Sequence, residues 1–330
     1  MQYIRKKIIK GQGYYHFQFM LRVGKRVALF DKYLGKEIPK DIQEKIPVYF
    51  NDIGLIYNAN LHANVKKYFL PKKTVDIEKS HFWYKSMHHE LFEKELKQFR
   101  DLFAVLFLLN SNQSEGSRLT KDHLEGYVTG KKKPRTPLEI EAANSFKALN
   151  FSFSREMKWN MKSVKRVHEL LFDGLDVNAG KFKLENNVVS NQETTLWENV
   201  RPELSALMKW FNENRRKMYA PQIALEFHYR FEKIHPFADG NGRVGRLLLN
   251  AFLLQSGYMP VIFFTGNHKS YCNAIGQARD GRKKKLAHYF VEQTKKTRKA
   301  IDKYREEGVL RGGSKKIGQW EIERGRVRKY

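Results

Sequence analysis

His235-Pro236-Phe237-Ala238-Asp239-Gly240-Asn241-Gly242-Arg243-Val244-Gly245-Arg246 is the most informative stretch of this 330-residue sequence. Upstream of it, Ile223, Phe227, Phe231 and Ile234 form one apolar stripe, which predicts a helix over 222–234. Downstream, Val244, Leu247, Leu248, Ala251 and Phe252 mark another from about Gly242. The stretch is therefore a loop that runs into a helix N-terminus. Such an end presents unpaired backbone N–H groups and positive partial charge, which attract phosphate. Gly240 and Gly242 let the backbone approach an anion closely. Arg243, Arg246 and Asn250 fall on one helix face away from the apolar stripe, and two guanidinium forks grip oxygens bidentately. Asp239 suits a divalent cation, because Mg²⁺ commonly takes one or two carboxylates plus substrate phosphates. His235 suits a base toward a hydroxyl nucleophile. Together these groups point to phosphoryl or nucleotidyl transfer.

Working outward, the rest of the chain reads as mostly α. Phe92, Leu96, Phe99, Phe103 and Leu106 recur at helical spacing within a helix that begins at about Phe82 and runs into Asn110–Gly116, with Gly116 as its left-handed stop. Thr136-Pro137-Leu138-Glu139 reads as a capping box with Pro at the first helical position, opening a helix to about Leu149. Further helices are expected over 160–172, 203–217 and 283–307. Residues 180–196 break this rhythm: β-prone runs on either side of Asn186-Asn187 predict a short hairpin within the helical domain.

The N-terminal residues differ. Tyr14–Leu21 and Val23–Val27 predict two strands around a Gly-Lys turn, and Pro39 and Pro47 read as breakers. The expected organisation is a small α+β module over 1–75, a helical segment over 76–130, a helical core over 131–295 and a basic tail over 296–330.

Composition excludes several classes. Apolar residues at 41% allow a sizeable core and argue against wholesale disorder. The one cysteine, Cys272, excludes an intrachain disulfide and a Cys-based zinc site. The longest apolar run, Leu102–Leu109, falls far short of the roughly 20 residues a spanning helix needs. No signal-peptide h-region is visible, so a soluble cytoplasmic protein is expected. There are 62 Lys and Arg against 35 acids, a net of +27, which favours polyanionic partners. Nucleic acid is one such partner, reached through residues 1–75, including Lys32–Lys36, and through the basic tail. No helix-turn-helix, zinc-finger or RNA-binding signature accompanies the charge.

The twelve residues quoted above resemble the signature of Fic domains, H-x-F-x-[DE]-G-N-G-R-x-x-R, and match it at every position. The wider similarity covers about residues 85–290. The resemblance implies a Fic-type helical domain with a short hairpin flap, and transfer of AMP from ATP onto a Ser, Thr or Tyr hydroxyl of a target protein, the chain itself included. It implies roles by position. His235 would be the general base, Asp239 the Mg²⁺ ligand, and Gly240, Asn241 and Gly242 the phosphate nest. Arg243 would support the nest and Arg246 would hold the γ-phosphate. Val189, Ser190, Asn191 and Gln192 would lie in the flap near nucleotide or target. Ser190 stands where the family often has Gly, and the usual prolines after it are missing, which leaves target choice open. Tyr271 and Arg279 would line the adenine pocket. The family also admits a homodimer.

Ser111-Asn112-Gln113-Ser114-Glu115-Gly116 matches the family's inhibitory pattern, [ST]-x-x-x-E-[GN], about 120 residues before His235. The resemblance then implies that Glu115 pairs with Arg246 and denies it to the γ-phosphate, with Ser111 and Gly116 framing that contact. In some family members the same Glu positions a water that removes AMP. Transfer of another nucleotidyl or phosphate group stays open beside adenylyl transfer.

Overall fold

The computed structural model describes residues 3–23, 26–61, 69, 71–90, 93–128, 132–189 and 192–306. The basic stretch 307–330 and the flap residues Ser190 and Asn191 lie outside them.

Three strands, β1 (Ile4–Ile9), β2 (Gln12–Val23) and β3 (Arg26–Gly35), form an antiparallel sheet in that order. The expected hairpin is β2–β3, and β1 is an addition to it. Lys10 and Gly11 both have positive φ (50° and 77°), the two-residue turn whose twist suits a β1–β2 hairpin. Alternation along β2 puts Phe17, Phe19, Leu21 and Val23 on one buried face. Against that face packs α1 (Ile42–Asn60), where Phe50 meets Phe17 and Phe19 edge-on. Pro47 lies inside α1 and does not end it. Burial of Ile42, Ile46, Tyr49, Phe50 and Ile53 on one side outweighs the roughly 3 kcal/mol that an interior proline costs.

The region expected as one helix from Phe82 is two: α2 (Pro71–Glu90) and α3 (Glu93–Gln113). From α2, Phe82 joins the sheet core while Trp83, Tyr84 and Met87 join the larger helical core. Buried Glu78 on α2 accepts hydrogen bonds from Tyr219 (2.5 Å) and Tyr258 (3.0 Å), tying the two parts together. The remaining helices are α4 (Lys121–Glu125), α5 (Pro137–Phe153), α6 (Met161–Phe172), α7 (Val200–Asn214), α8 (Ala220–Ile234), α9 (Asn241–Gln255), α10 (His268–Arg279) and α11 (Lys284–Glu306). Thr136 caps α5 as expected, but Glu139 reaches back to the N–H of Arg135 rather than of Thr136.

The fold is mostly helical with a small N-terminal sheet, as the pattern predicts. Two details differ. The hairpin of 180–196 is shorter than expected: β4 (Val188–Val189) pairs with β5 (Gln192–Glu193), and the chain reverses after Val189, not at the Asn pair. Asn187 is instead an anchor, its backbone carbonyl accepting from the Thr194 hydroxyl at 2.9 Å. Helix α9 has no solvent face, because every residue from Asn241 to Leu253 is buried among its neighbours. Asn250 therefore does not face a ligand. Its amide accepts from Val261 N–H (2.7 Å) and donates to Val261 C=O (2.9 Å), fixing the chain beyond α9. No helix among the described residues is long and apolar enough to cross a membrane.

Candidate active site

Helix α8 stops at Ile234, and His235 takes left-handed backbone angles (φ 50°, ψ 62°) with its N–H donating to Phe231 C=O at 2.9 Å. A non-glycine residue there carries about 1–2 kcal/mol of strain. The surrounding contacts hold it. Phe237 is fully buried, and the Asn241 amide bridges its backbone, accepting from its N–H (2.9 Å) and donating to its C=O (2.8 Å). From α6, His168 stacks on Phe237 with centroids 3.9 Å apart. Its Nδ1 accepts from Gly180 N–H (2.9 Å), which leaves Nε2–H to donate to Asp239 C=O (3.1 Å). Asn241 thus serves the loop with its side chain, a structural use of a residue expected in the phosphate nest.

Gly240 begins α9 with φ 73°, and the Phe172 ring fills the space a side chain would need. Asp239 is solvent-facing, with Oδ1 accepting from Gly240 N–H at 2.5 Å and Oδ2 3.1 Å from Arg243 Nη2. Arg243 also reaches Glu141 at 3.4 Å and lies over the Phe172 ring at 4.6 Å. No group of three or more His, Cys, Asp and Glu able to hold a metal occurs among the described residues. A lone exposed carboxylate at a helix N-terminus fits an ion that takes its other oxygens from a phosphorylated substrate and from water.

Arg246 is buried, one turn into α9, and α3 meets it. Its Nε–H donates to Ser111 Oγ (3.0 Å), and Nη2 donates to Ser111 C=O (2.8 Å) and to Glu115 Oε1 (2.8 Å). Gly116, at φ 83°, ends the α3 turn and lets Glu115 swing toward α9. A side chain on Gly242 would overlap the Glu115 carboxylate, so the pairing needs a glycine at that position. The end of α3 is braced further. The Asn112 amide donates to Ser145 on α5 (3.1 Å), and Asn110 Oδ1 accepts from Thr265 N–H (3.0 Å).

The electrostatics follow from burial and these neighbours. Burial pushes the Glu115 carboxyl up, but the charge and hydrogen bond of Arg246 more than offset it and hold Glu115 below the usual carboxylate range. Burial, then Arg279 and Lys183, depress the His235 imidazole to about 4, so it is neutral at pH 7. Burial and then the Glu115 charge raise Glu232 to about 7. Burial lowers Lys183 to about 8. Lys183 donates at 2.7 Å to both Asn187 Oδ1 and Thr194 Oγ1, knitting the flap base. Its backbone N–H donates to Pro236 C=O at 2.9 Å.

His235, Asp239, Gly240, Gly242, Arg243 and Arg246 come together around the start of α9, and Ser111, Glu115 and Gly116 join them. Val189 and Gln192 lie in the flap strands, and Gln192 accepts from Arg279 at 3.4 Å. Tyr271 is buried, with its hydroxyl 2.9 Å from His228 Nε2. Sequence reasoning misses Glu232, His168 and Lys183. Glu232 stands three residues before His235, and that spacing on one helix face is the signal that could have found it. His168 and Lys183 carry no local signal, since their partners are set by tertiary packing.

Residues 158–253 match the model of the Fic/DOC family. Among curated relatives, "Protein adenylyltransferase Fic" of Drosophila ananassae is 27% identical over 155 residues, covering 46% of this chain and 31% of that protein. The protein of the same name from Drosophila virilis is 28% identical over 162 residues, covering 46% and 32%. The match thus spans about a third of the length of these relatives. Among solved structures, a Fic domain-containing signaling protein from Bacteroides thetaiotaomicron superposes with TM-score 0.60 at 19% identity, covering 72% of this chain and 100% of that one. Fic-1 from C. elegans does so with TM-score 0.60 at 20% identity, covering 81% and 86%. Both share the fold.

Proposed function

We propose that the chain, whose residues 158–253 match the Fic/DOC family model, is a Mg²⁺-dependent protein adenylyltransferase held at rest by Glu115. The observation that carries this reading is the Glu115–Arg246 bond, one turn into the helix whose N-terminus follows His235. Backbone N–H groups at Gly240–Gly242 and the Arg243 and Arg246 guanidinia would bind the triphosphate of ATP. Neutral His235 would accept the proton of a Ser, Thr or Tyr hydroxyl as its oxygen attacks the α-phosphorus in line and pyrophosphate departs. Asp239 would hold Mg²⁺. When bound, the ion would supply neutralisation of the phosphate charge. The flap strands β4 and β5 would pair with an extended segment of the target. With Glu115 in place, Arg246 is denied to the γ-phosphate and negative charge stands where phosphate must sit. Removal of AMP, with Glu115 positioning a water, is a second use of the same carboxylate.

The test is intact mass after incubation with Mg²⁺ and each nucleoside triphosphate. Wild type should gain little, Glu115→Gly should gain an AMP-sized addition from ATP, and adding His235→Ala should lose at least about a hundredfold of that rate. A phosphate-sized addition would redirect the reading to another group transfer. No addition by Glu115→Gly, with ATP bound and a candidate target supplied, would overturn it.

A further inference from the structure

The sheet β1-β2-β3 uses one face for its core, and its other face carries an ordered pattern that the transfer reaction does not use. The antiparallel register puts Arg5, His16 and Tyr33 in one row across the three strands, with Lys7 and Tyr14 in the adjoining row. Gln18 pairs with Asp31, Met20 with Leu29 and Arg22 with Val27 along the rest of that face. Tyr33 is 56% exposed, and Met20, Leu29 and Val27 are each about half exposed. None of Tyr14, Met20, Val27, Leu29 and Tyr33 belongs to either apolar core. The aromatic groups gather at one end, with His16 and Tyr14 centroids 5.4 and 6.3 Å from that of Tyr33. The one acid on the face, Asp31, is held at 2.9 Å by Lys7, at 2.6 Å by His16 and at 2.7 Å by Gln18, so its charge is offset locally. Residues 1–40 contain ten Lys and Arg against two acids.

We propose that this outer sheet face binds single-stranded nucleic acid, with Tyr33 and Tyr14 stacking unpaired bases and Arg5 and Arg22 engaging the phosphates. Aromatic side chains interleaved with cations on an open sheet suit bases and backbone together, and stacking tolerates any base because each has a π-face. The apolar strip of Met20, Leu29 and Val27 continues the platform along the sheet. A merely acidic protein surface would use the cations and leave the Tyr33–Tyr14 pair idle. The inference is independent of adenylyl transfer, and neither stands or falls with the other.

The test is fluorescence anisotropy of the full chain with labelled twelve-nucleotide oligo-dT, oligo-U and a duplex of the same length. Tight binding of either single strand supports the proposal, and the stronger of the two says whether DNA or RNA is preferred. Tyr33→Ala should weaken single-strand binding by roughly five- to hundredfold, and Tyr33→Phe should leave it near wild type. The Arg5→Ser/Arg22→Ser double variant should reduce the slope of log affinity against log salt by about 1.4, at about 0.7 for each of the two phosphates left without its cation. Circular dichroism would show these exposed substitutions folded. Equal or tighter binding of the duplex would overturn the proposal. So would wild-type affinity in Tyr33→Ala, or displacement by poly-glutamate as effective as by unlabelled oligonucleotide.

Discussion

Glu115 Oε1 lies 2.8 Å from Arg246 Nη2, across 131 residues of sequence, and both Arg246 and the floor beneath the pair are buried. Arg246 keeps two further bonds to Ser111, so the guanidinium stays fixed when the carboxylate is removed. The carboxylate is the part of this contact that a competing phosphate would replace.

The pair contributes to stability in a pH-dependent way. Glu115 sits below the ordinary carboxylate range, because Arg246 outweighs the upward push of burial. A depressed carboxylate stabilises the native state above its unfolded pKa and loses that contribution as pH falls through the folded one. Glu115→Gln should therefore be less stable than wild type by about 1–3 kcal/mol at pH 7. That gap should hold down to about pH 5, near the ordinary carboxylate range, and narrow below it. Denaturant midpoints of the two proteins across pH measure this directly.

Gly242 bears on the same contact. An added methyl would collide with the Glu115 carboxylate and approach Arg246 Nη1 at 2.8 Å. Gly242→Ala should displace Glu115 and destabilise by about as much as Glu115→Gln does. In a Glu115→Gly background the same change should cost distinctly less, because the group it strikes is gone. A double-mutant cycle reads the coupling, and strict additivity would contradict the geometry.

Glu232 has the opposite sign to Glu115. It is buried, its Oε2 is 3.9 Å from His235 Nδ1, and its pKa rises to about 7 through burial and then Glu115. A raised acid favours folding below its unfolded pKa of about 4.5 and loses that contribution as pH climbs through about 7. Glu232→Gln should thus gain on wild type by about 3 kcal/mol between pH 4.5 and 8. Replacing Glu115 by Gly should lower the Glu232 pKa, and carbon-detected NMR of the labelled carboxyl would follow it.

His168 tests how the loop between α8 and α9 is held. It is neutral at pH 7, since burial depresses it to about 4. It also bonds to Gly180 and Asp239. His168→Phe keeps the stack on Phe237 and strands the Gly180 N–H, which should cost about 1–3 kcal/mol. Auto-modification in the Glu115→Gly background should fall with it. Unchanged melting and unchanged transfer would show that the loop needs no such brace.

The sequence alone determined the helices around the motif and the residues of the motif itself. The stripe Ile223–Ile234, the Thr136 cap and the stop at Gly116 are local signals, because helical period, capping and positive φ are decided within a few residues. The Glu115–Arg246 pair was legible only through a family pattern, since nothing local links residues so far apart. What lies between such elements was decided by tertiary structure. Asn250 read as ligand-facing from its spacing, yet the full burial of α9 turns it into a backbone clamp on Val261. Pro47 read as a break, yet the apolar face of α1 against the sheet carries the helix through it. Glu232, His168 and Lys183 gain their roles from desolvation and from partners on other elements. Burial of that kind is a sum over the whole packed chain, and no window of sequence contains it.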